Sequence, residues 1–596
     1  MQKQEYELTW DLDSIFPGGS SSQELQHYIE SIKKDMINLE INVKNFHANE
    51  ISVNEDIIKI INEMNPLIKR FREASAFISC LSAQNVNDTK ANLLVSERSE
   101  LGAQLGSVQT IWNQKLAEIS ENKWNQLMKD SALQEFTFYL NECRNNAKQL
   151  LSTEKEIILN KLGIDGYHAW GQMYQTIVGK MTISIEENGK TVPYSIGQAA
   201  NKLSSPDRNI RQSVFAKMQE AWQENADLFS NTLNHLAGFR LQTYKLRGWD
   251  NVLKEPLTIN RMQQDTLDAM WTAITNKKKY FIHYFQKKAR ILGIDKMSFY
   301  DVGAPLSEKG QTYTYAEGAN FIINHFEKFS PKMARFAEKA FEERWIEAED
   351  RPAKRPGGFC TSFPASKQTR IFMTYSNSMS NVATLAHELG HAFHQHVMDD
   401  LPAMNQRYAK NVAETASTLA EMIVSDAAVQ QAKTKTEKLS LLDDKLQRSI
   451  AFFMNIHARF LFETRFYKER KQGMVSIERL NELMENAQKE AYCDTLDEYD
   501  PTFWASKLHF HITGTPFYNF PYTFGYLFSL GIYAYAQEKG GTFEDDYIGL
   551  LKDTGRMQVE DLAMKHLQVD ITKTDFWEHG IDLCIKDLEK FVELSK

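Results

Sequence analysis

Between Leu385 and His396 the chain reads LAHELGHAFHQH: two histidines four residues apart, a glutamate directly after the first, and small or apolar residues around them. At 3.6 residues per turn, His387 and His391 fall on one face of a helix. Leu385, Ala386, Leu389, Ala392 and Phe393 give that helix a buried character, and burying a polar triplet without a partner is costly. A zinc ion satisfies two imidazoles at this spacing. Glu388 points slightly aside, where a carboxylate can take a proton from water. Roughly 0.03 matches to this pattern are expected by chance in a chain of this length, so coincidence is a poor explanation.

The third ligand has two precedents. One pattern places a glycine three residues and a histidine six residues after the second histidine; His394 and Val397 stand there instead. The other takes a glutamate from the following helix, and NVAETASTLAE offers Glu414 and Glu421, seven residues apart on one face. Glu414 follows after one short loop and is flanked by Ala413, Ala416 and Ser417, which permit close helix approach. Glu414 is therefore the expected ligand. Glu421 reads either as a hydrogen-bond acceptor that orients a histidine or as an ordinary solvated charge. His394 and His396 read as packing or supporting residues, because catalytic zinc keeps one position for water.

Elsewhere apolar residues recur mainly at helical spacing. Glu55–Phe77 carries Ile57, Ile60, Ile61, Met64, Ile68 and Phe71 on one stripe, with Pro66 predicting a kink or a break. Similar stripes occupy 87–120, 207–245, 262–292 and 317–346. Thr182–Ser195 alternates around Asn188-Gly189 and predicts a β-hairpin, near which a boundary separates an N-terminal helical lobe (1–190) from a catalytic domain (191–596). Arg351–Tyr375 is rich in proline and glycine and ends in a predicted strand, Thr369–Tyr375. A helix capped by Ser378 or Ser380 then runs to about Met398, and another spans about Tyr408–Thr434.

Composition closes off other classes. A net charge of -9 and a pI near 6.0 argue against an electrostatic grip on nucleic acid or an anionic membrane. The longest uncharged stretch, Ile512–Gln537, holds Pro516, Asn519, Pro521 and five tyrosines, and reads as a buried cavity wall rather than a membrane span. The start, MQKQEYELTWDLD, lacks a basic-then-apolar run and predicts no signal peptide. Five scattered cysteines suggest a reducing cytoplasm and no thiolate metal site. The only Gly-Lys-Thr, at Gly189–Thr191, has Ser184 where a phosphate-binding loop needs glycine.

Four segments resemble the oligoendopeptidase F branch of the thimet oligopeptidase-like metallopeptidases: LTWDLDSIFP, KRPGGFC, TLAHELGHAFH with NVAETAST, and HFHITGTPFYNFPYTFGYLFSLG. The resemblance implies a mainly α, two-lobed helical shell around a deep central channel, with a small β element near the zinc-binding helix and one Zn2+ on the channel floor. It implies cleavage of internal bonds in short unstructured peptides. By position, His387, His391 and Glu414 match the family's ligands and Glu388 its general base. The strand around Phe372–Tyr375 matches an edge that binds substrate backbone. The C-terminal tract matches the region that supplies a histidine, His509 in preference to His511, and tyrosines drawn from Tyr518, Tyr522 and Tyr526, to stabilise the oxyanion. These tyrosines recur every four residues, although Pro521 weakens a helix before it.

Two rival readings share these residues. A metallo-carboxypeptidase fits the same motif, whereas the GxMEN segment of gluzincin aminopeptidases is absent. A helical peptide-binding scaffold with a vestigial zinc site would lack metal-dependent turnover. Oligomeric state is not written in the sequence.

Overall fold

Amphipathic stripes become helices along nearly the whole chain, and the computed structural model is 71% helical. It describes residues 5–48, 52–187, 189–306, 312–539 and 543–596. The stripe around Pro66 neither breaks nor divides: Val53–Gln84 is one helix. Met64 and Leu67, on either side of the proline, are completely buried. Burying two such side chains contributes about 1.5–3 kcal/mol each, which offsets the roughly 3 kcal/mol cost of an internal proline. The stripe at 207–245 divides into Arg208–Glu224 and Ala226–Leu246. That at 317–346 divides where Ser330 caps Pro331–Glu342.

One apolar cluster runs from Trp10 to Cys143 and takes in Phe363, Phe372 and Met404 from the later chain. A second, larger one runs from Tyr174 to Phe591. The predicted hairpin forms as β1 (Thr182–Glu187) paired antiparallel with β2 (Lys190–Ser195). Gly189 supplies the positive φ of its turn, while Asn188 lies outside the described residues.

A small sheet beneath the HELGH helix positions the site. β3 (Ile346–Glu347), β4 (Phe359–Phe363) and β5 (Gln368–Phe372) lie in the order β3-β5-β4, with β5 parallel to β3 and antiparallel to β4. This corrects the expected substrate-binding edge. Phe372 lies in the central strand, and Met373 and Tyr375 donate their backbone N–H groups to Glu347 and Ala348. The open edge is β4. The sequence concealed it because KRPGGFCTSFP mixes breakers with a strand too short to show period-two alternation.

Two segments from the first hundred residues fasten this sheet. Leu8 accepts a backbone hydrogen bond from Ala348, and Arg370 donates two to the Asp11 carbonyl. From the long Val53–Gln84 helix, Arg72 reaches Ser362 at 3.0 Å and Gln395 at 3.3 Å, and Glu73 accepts from the Ala365 and Ser366 amides in the β4–β5 turn. The LTWDLDSIFP motif thus acts as a strap on the sheet. Among the described residues no helix is long and apolar enough to cross a membrane; the 512–537 stretch is a turn followed by a helix, Phe520–Lys539, most of it buried.

Candidate active site

The HELGH helix spans Met379–Val397, and Ser378 caps it by accepting from the Asn381 amide at 3.1 Å. The following helix spans Lys410–Gln431. They touch closely at Gly390, where an added Cβ would meet the Ala416 carbonyl at 2.5 Å and the Ser417 Cα at 2.6 Å. On its other side the second helix meets Phe520–Lys539 at Gly525, where a Cβ would lie 2.9 Å from the Asn411 carbonyl and from the Glu414 Cβ. Two glycines therefore hold the glutamate-bearing helix between its neighbours, and Glu414 is pressed toward the histidines.

His387 and His391 set their rings at 84° with centroids 4.9 Å apart. The Glu414 Oε2 atom lies 3.4 Å from His387 Nε2 and 3.5 Å from His391 Nε2. Ligand atoms about 2.1 Å from a tetrahedral zinc ion stand about 3.4 Å apart, so both Glu414–histidine distances suit a zinc donor set, and all three ligand atoms lie within 4.8 Å of one another. The side chains form the one His/Cys/Asp/Glu group of at least three among the described residues that could hold a metal ion. Burial works against the Glu414 charge, but the two histidines hold its carboxyl well below the usual range. Ser417 donates to Glu414 Oε2 at 3.0 Å and fixes its rotamer.

Glu421 stands where an orienting group would: one carboxylate oxygen lies 3.3 Å from His387 Nδ1, on the side of the ring away from the Nε2 atom that faces Glu414. Arg448 pairs with the other Glu421 oxygen. His394 is fully buried, stacks on Tyr408 and bonds Thr554 at 2.9 Å, with burial pushing its pKa down to about 3. His396 stacks on Phe336 and pairs with Asp399. Both stand outside the metal group.

Glu388 is 8% exposed, and burial raises its pKa despite the two neighbouring histidines. It faces a cavity of about 510 Å³ lined by Phe359, Cys360, Thr361 and Ser362 of β4, by the two histidines and by Glu414. Gly358 keeps that side open: an added Cβ would lie 3.6 Å from Glu388 Oε1.

The C-terminal tract separates its candidates. His509 sits on a short turn, Leu508–His511, with its ring 5.3 Å from Tyr518, whose ring is 5.9 Å from Tyr522. Burial, then Arg459, Lys507 and Lys410, push the His509 pKa down to about 4, so the imidazole is neutral at pH 7. His511 faces elsewhere: completely buried, it stacks on Tyr174 at 4.0 Å and bonds Thr232. The four-residue tyrosine spacing does not put all three on one helix. Pro521 falls in the first turn of Phe520–Lys539, where its missing N–H costs nothing, and Tyr518 precedes that helix, beside Phe517 at φ 51°. Tyr522 is close enough to Glu414 for the carboxylate to add to the rise of its pKa. Tyr526 is 5% exposed, stacks on Phe452 and shares its hydroxyl with Ser449 and Cys584.

Sequence reasoning did not single out Lys410, whose ammonium lies over the Tyr518 ring, or Arg448. Lys410 stands one helical turn before Glu414, a spacing that could have marked it.

The comparisons with known proteins agree with this architecture. The model described as Peptidase family M3 matches residues 201–583, and that described as Oligopeptidase F matches 115–183. An oligoendopeptidase F homolog of Lactococcus lactis subsp. lactis is 22% identical, covering 98% of this chain and 97% of its own. The oligopeptidase PepF of Bacillus subtilis is 20% identical over 99% of this chain and 87% of its own. Among solved structures, oligoendopeptidase-F from Enterococcus faecium superposes with a TM-score of 0.68 at 17% identity, covering 96% of this chain and 99% of that one. The inhibitor-bound PZ peptidase A gives a TM-score of 0.70 at 16% identity over 94% and 97%. With a family model covering well over half of its length and the fold of its solved relatives, the chain belongs to peptidase family M3, in the oligoendopeptidase F branch.

Proposed function

We propose that this chain is a zinc-dependent endopeptidase acting on internal bonds of short, unstructured peptides. The observation that carries the reading is the placement of one Glu414 oxygen 3.4 and 3.5 Å from the two histidine Nε2 atoms, beside a buried Glu388. When bound by His387, His391 and Glu414, zinc supplies Lewis acidity to the scissile carbonyl and acidifies water. Glu388 accepts the proton of the attacking water and returns it to the leaving nitrogen. Its burial favours that return, because it raises the carboxylate's affinity for the proton. Glu421 keeps His387 in the tautomer that presents Nε2.

His509, Tyr518 and Tyr522 donate hydrogen bonds to the developing oxyanion. His509 is suited to this as a neutral imidazole, and Phe517 at positive φ fixes the entry of Tyr518. Tyr526, from the same tract, props its helix against Phe452 and Ser449 rather than meeting the reacting atoms. The open edge of β4 lies along the cleft, where an extended substrate adds as a further strand. Only an unpaired, extended segment adds in this way, which supports the reading that the substrates are unstructured. All five thiols are free, which suits a reducing cytoplasm.

Digestion of a mixed library of end-blocked peptides, with and without chelator and read by mass spectrometry, tests the proposal. Internal cleavage abolished by chelator and restored by zinc is expected. Removal of single C-terminal residues only, or turnover indifferent to chelator, would overturn it.

A further inference from the structure

Away from the cleft, the helix Thr137–Lys148 carries a row of carboxamides. Asn141, Asn145 and Gln149 follow one another at four-residue intervals, so they form one ridge. Gln149, the C-cap, keeps a helical backbone. The ridge borders a cavity of about 540 Å³ that shares no lining residue with the metal cleft. Phe138 and the buried Leu257 and Met262 form its apolar part, and Lys254, Thr258 and Gln558 complete it from the later chain.

Most of these amides are unspent. Among the described residues the side chains of Asn145, Asn146, Gln149 and Gln558 make no hydrogen bond to the protein. Asn141 Oδ1 accepts from Trp124 Nε1 at 2.8 Å, which settles the orientation of that amide and leaves Nδ2 as a spare donor. The cavity is also preformed. Glu142, on the same helix, accepts from Arg261 Nε at 2.6 Å and from Nη2 at 2.8 Å, and Arg261 donates in turn to the Arg407 carbonyl at 2.9 Å. This two-pronged pair clamps the walls together and takes the one carboxylate of the lining out of use. The same guanidinium lies 5.0 Å from the centre of the Phe138 ring.

We propose that this cavity is a second peptide-binding site, which takes an extended, uncharged stretch of polypeptide by its backbone. Free carboxamides on a surface are ordinary; a row of them at this period, beside apolar side chains, is what selects the ligand. Four helical residues advance about 6.0 Å, and two residues of an extended chain advance about 6.6 Å. Successive carboxamides on the ridge therefore meet successive peptide units that point to the same edge of the ligand. A carboxamide donates and accepts at once, as the N–H and C=O of such a unit require. Alternate side chains of the ligand then fall toward Phe138, Leu257 and Met262, which favours apolar residues at every second position. A sugar ring would stack on Phe138 and bond to Glu142, and Arg261 engages both. An anion finds only Lys254, whose ammonium lies 5.2 Å from the centre of Trp249. Occupation of this site requires no cleavage and stands apart from the zinc chemistry.

Photo-crosslinking to the full chain carrying Glu388→Gln, which spares a bound peptide, tests this. The probe is an octapeptide of alternating photo-leucine and serine, acetylated at one end and amidated at the other. Mass spectrometry of the digested adducts should find label on 137–149 or 254–262. Asn145→Ala combined with Gln149→Ala, at two side chains that are not buried, should raise the half-saturating concentration for that label about 5- to 100-fold. Asn145→Gln should retain most of it. Labelling confined to the cleft strand Phe359–Phe363, or groove labelling that the double variant leaves unchanged, overturns the proposal. So does equal labelling by the same peptide methylated on every backbone nitrogen, since that chain cannot donate. Displacement of the probe by maltotriose but not by unlabelled peptide would give the groove to carbohydrate, and a lower sedimentation coefficient of the unliganded double variant would give it to a second copy; either ends the proposal. Label in the groove with none in the cleft upholds it and counts instead against substrate addition at β4.

Discussion

Glu421 joins His387 to Arg448: one carboxylate oxygen lies 3.3 Å from the imidazole Nδ1 and the other pairs with the guanidinium. The arrangement has the geometry of a group that orients a metal-binding ring. Such supporting groups contribute about 10- to 100-fold to metal affinity. Glu421→Gln should therefore weaken zinc binding by that factor in competition with a chromogenic chelator, with the helical circular dichroism unchanged. Parental affinity in the variant would show that the ring is held by packing alone.

Glu388 contributes no ligand atom to the metal group, yet it lines the same cleft. Glu388→Gln should bind zinc as the parent does and lose about 10²- to 10⁴-fold in kcat, the usual scale of general-base catalysis. His387→Ala should instead lose the metal. Metal content by atomic emission, measured beside turnover on one blocked peptide, separates the two. Parental turnover in Glu388→Gln would reassign the base.

Gly390 is the narrowest point between the two ligand-bearing helices. An alanine there would drive its Cβ into backbone, the Ala416 carbonyl at 2.5 Å, rather than into a movable side chain. Overpacking of this kind costs about 1–3 kcal/mol, and relieving it displaces the helix that carries Glu414. Gly390→Ala should lower both the thermal midpoint and zinc affinity. The exchange Gly473→Ala, in open space, serves as a neutral reference. If the Gly390 variant kept full zinc affinity, close approach would not be what places the third ligand.

The two candidate histidines of the HFH run should fail differently. His511 is completely buried against Tyr174, so His511→Ala should open a cavity and destabilise the fold by about 2–4 kcal/mol, on the scale of other core truncations. His509 is half-buried beside Tyr518, so His509→Ala should spare the melting temperature and lower kcat. A kcat loss confined to His511→Ala would reverse the assignment.

How much of this was legible before the structure depended on range. His387, Glu388, His391 and Glu414 lie within 28 positions on two helices, so periodicity placed the two histidines on one face and the precedent of a glutamate from the following helix pointed to Glu414. Periodicity was a poorer guide to the tyrosines: the helix begins only at Phe520, just ahead of Pro521, as that proline suggested, so Tyr518 lies before it, and Tyr526 packs on Phe452. Pro66 was misjudged because local propensity is weaker than the burial on both sides of it. The open edge of β4 was invisible because its five residues, Phe359–Phe363, follow a run of breakers and are too few to show period-two alternation.

Glu463 offers a test of the fold that does not involve the metal. It is 4% exposed, and burial raises its pKa from 4.5 to about 8, with Arg240 and the Phe517 amide only partly opposing the shift. Between those values the folded chain binds more protons at this site than the unfolded chain. By linkage, stability then falls as pH rises, by up to about 1.4 kcal/mol per unit. Glu463→Gln keeps an acceptor for the Phe517 amide and removes the titration. Its stability relative to the parent should therefore grow between pH 5 and pH 8, by on the order of 2–4 kcal/mol. Taking the difference between the two proteins cancels the contribution of Asp444, which burial and Asp443 raise to about 6 and which acts in the same direction at the acid end. Urea denaturation at four pH values reads the trend, and a difference that stays constant across the range would place the Glu463 carboxyl in a far more polar setting than its burial implies.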